Sequence, residues 1–235
     1  MANQSNPLIE AKDLEKVYFR KNAAPTKALD RINLEAFQGE FLAIIGRSGS
    51  GKTTLLNLLG ALDRPTNGEI KFEGKALSNF SNRDLAILRR EKIGFIFQTF
   101  NLLPSLTVAE NVESALIHSR LSKNQIHRKA ITLLELLELA EMSNRLPLEL
   151  SVGQQQKVAI ARAIVKDPAL ILADEPTGEM DPITSREILE KLVELKTKSK
   201  ITLIVASHET SINSEADRTL FIKAGRLVSK KEAGY

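Results

Sequence analysis

Phe41-Leu42-Ala43-Ile44-Ile45-Gly46-Arg47-Ser48-Gly49-Ser50-Gly51-Lys52-Thr53-Thr54 is the stretch that decides the fold. Its first five residues are apolar, and so short a run reads as a buried strand. From Thr53 to Leu62 apolar residues return at helical spacing, so the intervening glycines join a strand to a helix. Gly46 to Thr53 also matches G-x-x-x-x-G-K-[ST] in that setting. Glycines let backbone N–H groups turn inward around phosphate oxygens, and the positive end of the helix faces the anion. Lys52 adds charge near the β and γ phosphates, and the Thr53 hydroxyl is placed to ligate Mg²⁺. Gly46, Arg47, Ser48, Gly49, Ser50, Gly51, Lys52, Thr53 and Thr54 are therefore expected to bind ATP, with Lys52 also acting in catalysis.

A second apolar run, Ala169 to Ala173, ends in Asp174-Glu175. Such a strand belongs inside a parallel sheet, its carboxyl end at the ligand crevice. Asp174 is placed to hold Mg²⁺, directly or through water, and Glu175 to polarise a water for in-line attack on the γ-phosphate. His208 follows another buried-type strand, Ile201 to Ala206, expected to end at the same crevice. His118 and His127 lie in polar helical surroundings without metal-ligand spacing and read as solvated.

The remaining chain arranges itself around these motifs. Leu8 to Arg20 and Ala28 to Phe37 read as an antiparallel pair separated by a stretch containing Asn22 and Pro25. A turn at Pro65 to Gly68 precedes a strand from Glu69 to Phe72. Helical periodicity between Asp84 and Leu116 is interrupted by a strand at Ile93 to Phe97. Over Lys123 to Glu141, the residues Ile126, Ala130, Leu133, Leu134 and Leu137 share one helical face. From Ser151 onward helix, strand, helix and strand alternate, the pattern of βαβ units. The polar tail from Lys230 to Tyr235 is expected to fray. The fold class is thus α/β, a phosphate-loop core with a mainly parallel sheet, an N-terminal antiparallel β subdomain and a helical subdomain.

The 235 residues suit one large domain, and with 43% hydrophobic and 26% charged residues disorder is excluded. No apolar run approaches the roughly 20 residues that cross a bilayer, and Met1 to Pro7 shows no secretory signal. Without cysteine there is no disulfide framework and no thiolate-ligated metal, which suits a reducing compartment. The net charge of +4 comes from 33 basic and 29 acidic residues that are well mixed, so no nucleic-acid partner is expected.

Ser151, followed three residues later by Gln154, has the form of a capping box opening a second helix, with Gly153 leaving its first turn open to phosphate. Leu150-Ser151-Val152-Gly153-Gln154, with the motifs above in their order, resembles the nucleotide-binding subunits of ABC transporters, whose signature is usually L-S-G-G-Q. The resemblance covers most of the chain. It implies a single ABC ATPase domain over 1–235: 1–80 as β region and phosphate loop, about 99–160 as an inserted helical subdomain, and 161–235 as the rest of the core. It implies that Tyr18 stacks on adenine and that Gln98 is the Q-loop glutamine, a catalytic residue and Mg²⁺ ligand that senses Mg²⁺ and the membrane partner. By the same resemblance Asp181 is the D-loop aspartate and His208 the switch histidine. There are two departures from the pattern: Val152 replaces a glycine, and Glu179-Met180 replaces the usual D-loop pair. The segments around Phe97 to Pro104 and Thr107 to Val112 are similar to the lipoprotein-releasing (LolD-type) and macrolide- or peptide-exporting (MacB-type) branch.

The phosphate loop binds ATP on one side only. The expected assembly is therefore an ATP-dependent head-to-tail homodimer in which Ser151, Gly153 and Gln154 of a second copy close the pocket. Transport then requires separate transmembrane permease subunits, docked around Gln98 to Thr107 with Phe100, Leu102 and Leu103 exposed, and a cytoplasmic place on the inner membrane face. Export is the expected direction. A nucleotide-gated subunit that drives a membrane partner without moving cargo is the alternative.

Overall fold

In the computed structural model, residues 6–19, 21, 24–178 and 180–235 are described. Met1 to Ser5, Arg20, Asn22 and Glu179, on which some expectations rested, lie outside them. The elements are β1 (Ile9–Tyr18), β2 (Thr26–Ala36), β3 (Phe41–Ile45), α1 (Lys52–Leu59), β4 (Asn67–Phe72), β5 (Lys75–Ala76), α2 (Asn82–Lys92) and β6 (Ile93–Ile96), followed by α3 (Val108–Glu113) and α4 (Lys123–Leu136). Then come α5 (Val152–Ile164), β7 (Leu170–Asp174), α6 (Pro182–Ser199), β8 (Thr202–Ser207), β9 (Arg218–Lys223), β10 (Arg226–Val228) and α7 (Lys230–Ala233). The chain divides into two compact units, residues 1–89 with 202–235, and residues 90–201. No helix among the described residues is long and apolar enough to cross a membrane.

The first unit holds an antiparallel sheet in the order β2-β1-β4-β5 and a second group in which β3 runs parallel to β8 and β9. Alternation turns Ile9 and Ala11 of β1 inward, opposite Ala36 and Leu34 of β2, and an irregularity in the pairing after Ala11 brings Leu14 inward opposite Ile32. All five residues of β3 are buried, as a strand flanked on both sides and both faces requires. Leu55, Leu58 and Leu59 of α1 are fully buried, each contributing about 1.5–3 kcal/mol. The C-terminal residues differ from expectation. They form the short helix α7, begun by a capping box between Ser229 and Glu232, and the Tyr235 ring lies 5.9 Å from that of Phe221.

In the second unit β6 and β7 are parallel, in register from Ile93 opposite Leu170 to Ile96 opposite Ala173. Helix α5 packs against α3, α4, α6 and β6, and Val158, Ala159 and Ile160 are fully buried. Helix α4 begins at a capping box between Ser122 and Gln125 but stops at Leu136, short of the expected Glu141. Glu138 takes a left-handed φ of 61°, and the Leu139 N–H bonds back to Leu134, which turns the chain away from the helix axis.

Candidate functional site

The residues expected to bind phosphate, Gly46 to Thr54, lie in the first unit. Gly51 precedes α1 at φ 109° and offers no side-chain cap. The N–H groups of Lys52, Thr53 and Thr54 come before the first intrahelical bond, from the Leu55 N–H to the Gly51 carbonyl at 2.9 Å. A Cβ at Gly51 would stand 2.7 Å from the Ala28 carbonyl oxygen, so β2 passes too close for any side chain. Lys52 is buried, and its Nζ donates to the Gly46 carbonyl at 2.7 Å and to that of Arg47 at 3.3 Å, which folds the ammonium back over the loop. Ser50 is also buried, and its Oγ has no hydrogen-bond partner. A buried hydroxyl of that kind is costly unless something enters to satisfy it. Arg47, Ser48, Gly49 and Thr53 are exposed.

His208 belongs to the same unit. It is exposed, directly after Ser207, whose carbonyl accepts the Gly46 N–H at 3.1 Å, so the end of β8 is tied to the start of the phosphate loop. Its own carbonyl accepts from the Tyr235 hydroxyl at 3.5 Å. Tyr18 ends β1 half-buried, with the Lys16 ammonium 5.1 Å from its ring centre and its hydroxyl donating to Asp63 at 3.3 Å. Burial pushes the Asp63 carboxyl up, yet hydrogen bonds from Lys16, the Arg64 N–H and Tyr18 hold it below the usual range. One face of the Tyr18 ring is thus taken by a cation.

The second unit carries the other residues. Asp174 ends β7, and Glu175 follows with φ 47°, a left-handed conformation that costs a non-glycine residue energy and is found disproportionately at functional sites. Ser151 and Gln154 form the capping box that the sequence implied: Ser151 Oγ accepts the Gln154 N–H at 3.3 Å, and Gln154 Oε1 accepts the Ser151 N–H at 2.9 Å. A Cβ at Gly153 would stand 2.7 Å from Thr184 Cγ2, and Val152 is 43% exposed beside it. Asp181 caps α6, accepting the N–H groups of Ile183 and Thr184 and the Thr184 hydroxyl, and these bonds hold its carboxyl below the usual range. His127 is exposed and pairs with Glu113 at 2.6 Å, and His118 is exposed.

Gln98 is exposed after β6, at the head of a loop that runs to α3 at Val108, where the periodicity predicted helix. Leu103 in that loop is 47% exposed, but Phe100 and Leu102 are half-buried, not open as expected. The reason is a pair of distant anchors. Phe100 and Asn101 both have left-handed φ, 58° and 49°, and their carbonyls accept from Arg162 of α5. Burial pushes the Arg162 guanidinium down from its ordinary range. Fully buried Asn111 of α3 donates to the carbonyls of Leu103, Leu106 and Thr107, each at 3.0 Å, and accepts the Leu103 N–H at 2.8 Å. Neither anchor is legible in the sequence: Asn111 stands there only as part of the segment Thr107 to Val112, and nothing local marks Arg162.

Among the described residues no group of three or more His, Cys, Asp or Glu side chains is placed to hold a metal ion. In the first unit the Thr53 hydroxyl is exposed at the start of α1, and in the second the Asp174 carboxylate ends β7; each is an oxygen donor of the kind that suits Mg²⁺.

Comparison with known proteins fits these elements. The family described as ABC transporter matches residues 29–178. An uncharacterised ABC transporter ATP-binding protein of Thermotoga maritima is 44% identical over 227 residues, covering 97% of this chain and 96% of that protein. The macrolide export ATP-binding/permease protein MacB of Hyphomonas neptunium is 45% identical over 223 residues, 95% of this chain, which spans only 34% of that protein's length. Among solved structures, the ATP-binding cassette MJ0796, a dimer in a post-hydrolysis state bound to ADP and Pi, superimposes with a TM-score of 0.87 at 38% identity, covering 94% of this chain and 97% of that one.

Proposed function

Because the chain belongs to the ABC transporter family of ATPases, we propose that it is the ATP-hydrolysing cassette of an exporter, acting as a homodimer that closes around two ATP molecules and drives transmembrane permease subunits. The observation that carries this reading is the uncapped start of α1 beside the buried Ser50 Oγ, which has no hydrogen-bond partner, with the Lys52 ammonium folded over the same loop on the Gly46 and Arg47 carbonyls. The exporter assignment rests on the likeness to a protein named for macrolide export. The homodimer rests on the likeness to a cassette solved as a dimer.

In this reading Gly46 to Thr54 cradle the triphosphate, and the face of Tyr18 opposite Lys16 stacks on adenine. Ser151, Gly153 and Gln154 of a second copy complete the pocket. Ser151 Oγ already accepts the Gln154 N–H, so its own O–H remains to donate to a phosphate oxygen. Glu175 orients a water and takes its proton as the water attacks the γ-phosphorus, while Lys52 balances charge on the departing ADP. His208 and Gln98 read the γ-phosphate, and Asp181 steadies the loop ahead of α6 at the facing copy. Mg²⁺, held by Thr53, Asp174 and Gln98, would neutralise charge on the β and γ oxygens. The two compact units work as one ATPase domain, placed on the inner membrane face by its permease.

The test is Glu175→Gln. It should bind ATP normally, turn over at least about 100-fold more slowly and form a dimer with MgATP on size exclusion with light scattering. A variant that hydrolyses at the wild-type rate, or stays monomeric at saturating MgATP, refutes the reading.

A further inference from the structure

Helix α5 meets three functional loops at three heights. Its cap, Ser151, opens the signature segment. In its middle the fully buried Gln156 donates from Nε2 to the Pro176 carbonyl at 2.8 Å, one residue beyond Glu175. Near its end Arg162 donates from Nη1 to the Asn101 carbonyl at 2.5 Å and from Nη2 to that of Phe100 at 2.6 Å. Ser151 and Arg162 are separated by about 17 Å of helix rise. The two residues Arg162 grips are consecutive and both left-handed, a conformation that side chains other than glycine adopt reluctantly. Their carbonyls therefore point where they do only while something holds them.

We infer that Arg162 is a positioning residue: its planar guanidinium, bridging two successive carbonyls, fixes the shape of the loop that carries Gln98 and couples that shape to the helix beginning at Ser151. A side chain present only to fill space would need the apolar stem and not the fork. Two donors in one plane match two neighbouring acceptors, which a lysine ammonium cannot do at once. Asn111 anchors the far end of the same loop, so the loop is held at 100–101 and 103–107 while Gln98 stands exposed between β6 and the clamp. The inference rests on the role given to Gln98 above.

Amide hydrogen exchange and ATP hydrolysis are measured on the full chain as wild type, Arg162→Lys and Arg162→Met. In Arg162→Met the amides of 99–103 should exchange about 10-fold faster while those of β7 and α1 keep wild-type rates. The kcat should fall about 10-fold with KM for ATP within about 2-fold, and Arg162→Lys should lie between. Unchanged exchange at 99–103 overturns the inference. So does exchange that rises equally in β7, which would make Arg162 general packing, and so does a loosened loop with unchanged kcat. If the methionine variant does not fold, Arg162→Lys carries the same comparisons. Gln98→Ala, run alongside, separates the two readings: wild-type hydrolysis there refutes the role of Gln98, whereas the exchange data still decide whether Arg162 fixes the loop.

Discussion

Alanine at Gly51 and alanine at Gly49 should differ sharply, although both glycines have positive φ in one loop. Gly51, at 109°, would bring a Cβ to 2.7 Å from the Ala28 carbonyl oxygen and 2.9 Å from Leu29 Cδ2, whereas Gly49, at 74°, meets nothing within 4 Å. Left-handed strain alone costs about 1–2 kcal/mol. The contact with β2 is with backbone, which no rotamer change relieves, and overpacking adds about 1–3 kcal/mol. Gly49→Ala should therefore destabilise by about 1 kcal/mol and Gly51→Ala by about 3 kcal/mol. With a urea slope of about 2.5 kcal/mol/M, the unfolding midpoints followed by circular dichroism should fall by ~0.4 M and ~1.2 M. Equal shifts would show that the approach of β2 does not constrain the start of α1.

Three more outcomes are expected from the same geometry. Lys52→Ala removes a charge-assisted donor and should weaken ATP binding by about 10- to 100-fold, and unchanged affinity by calorimetry would count against the phosphate-loop assignment. Asn111→Asp keeps the acceptor for the Leu103 N–H but turns a carboxylate toward three carbonyls, so it should destabilise by about 3 kcal/mol or more. Thermal unfolding within about 1 kcal/mol of wild type would refute the loop anchor. Asp30 is held at about pKa 2, first by its hydrogen bond from Lys27 and then by that from Arg226. Because its folded value lies below the unfolded one, its contribution is complete above about pH 4 and is lost as pH falls toward 2. Asp30→Asn should accordingly show a shallower loss of stability over that interval, and an identical pH profile would refute the coupling.

The elements of the candidate site are legible in the sequence because each is written locally. Apolar Phe41 to Ile45, the glycines after it and the Ser151–Gln154 spacing each specify strand, loop or cap within a few residues, and the structure forms all three. The same device also opens α7, where Ser229 and Glu232 stand three apart, yet the polar character of the tail outweighed that signal. Strand β9 carries no clear alternation, because of its residues only Ile222 is buried; its place is set by parallel pairing with β3. The loop after Gln98 was the least readable part. Its shape depends on a guanidinium more than 60 positions away along the chain, and no window of local sequence contains both ends of that bond.

The helix that begins at Ser151 also sets a rule about length. Side chains along a helix are indexed by angle as well as by distance, each added residue rotating the more C-terminal positions by about 100° and advancing them about 1.5 Å. One alanine inserted between Ala159 and Ile160 would swing Arg162 off the Phe100 and Asn101 carbonyls while leaving Gln156 on Pro176. Exchanges of one apolar residue for another in that span should be absorbed by repacking. A change in its residue count should instead throw the two ends out of phase, so that spacing, more than composition, is the quantity this segment has to keep.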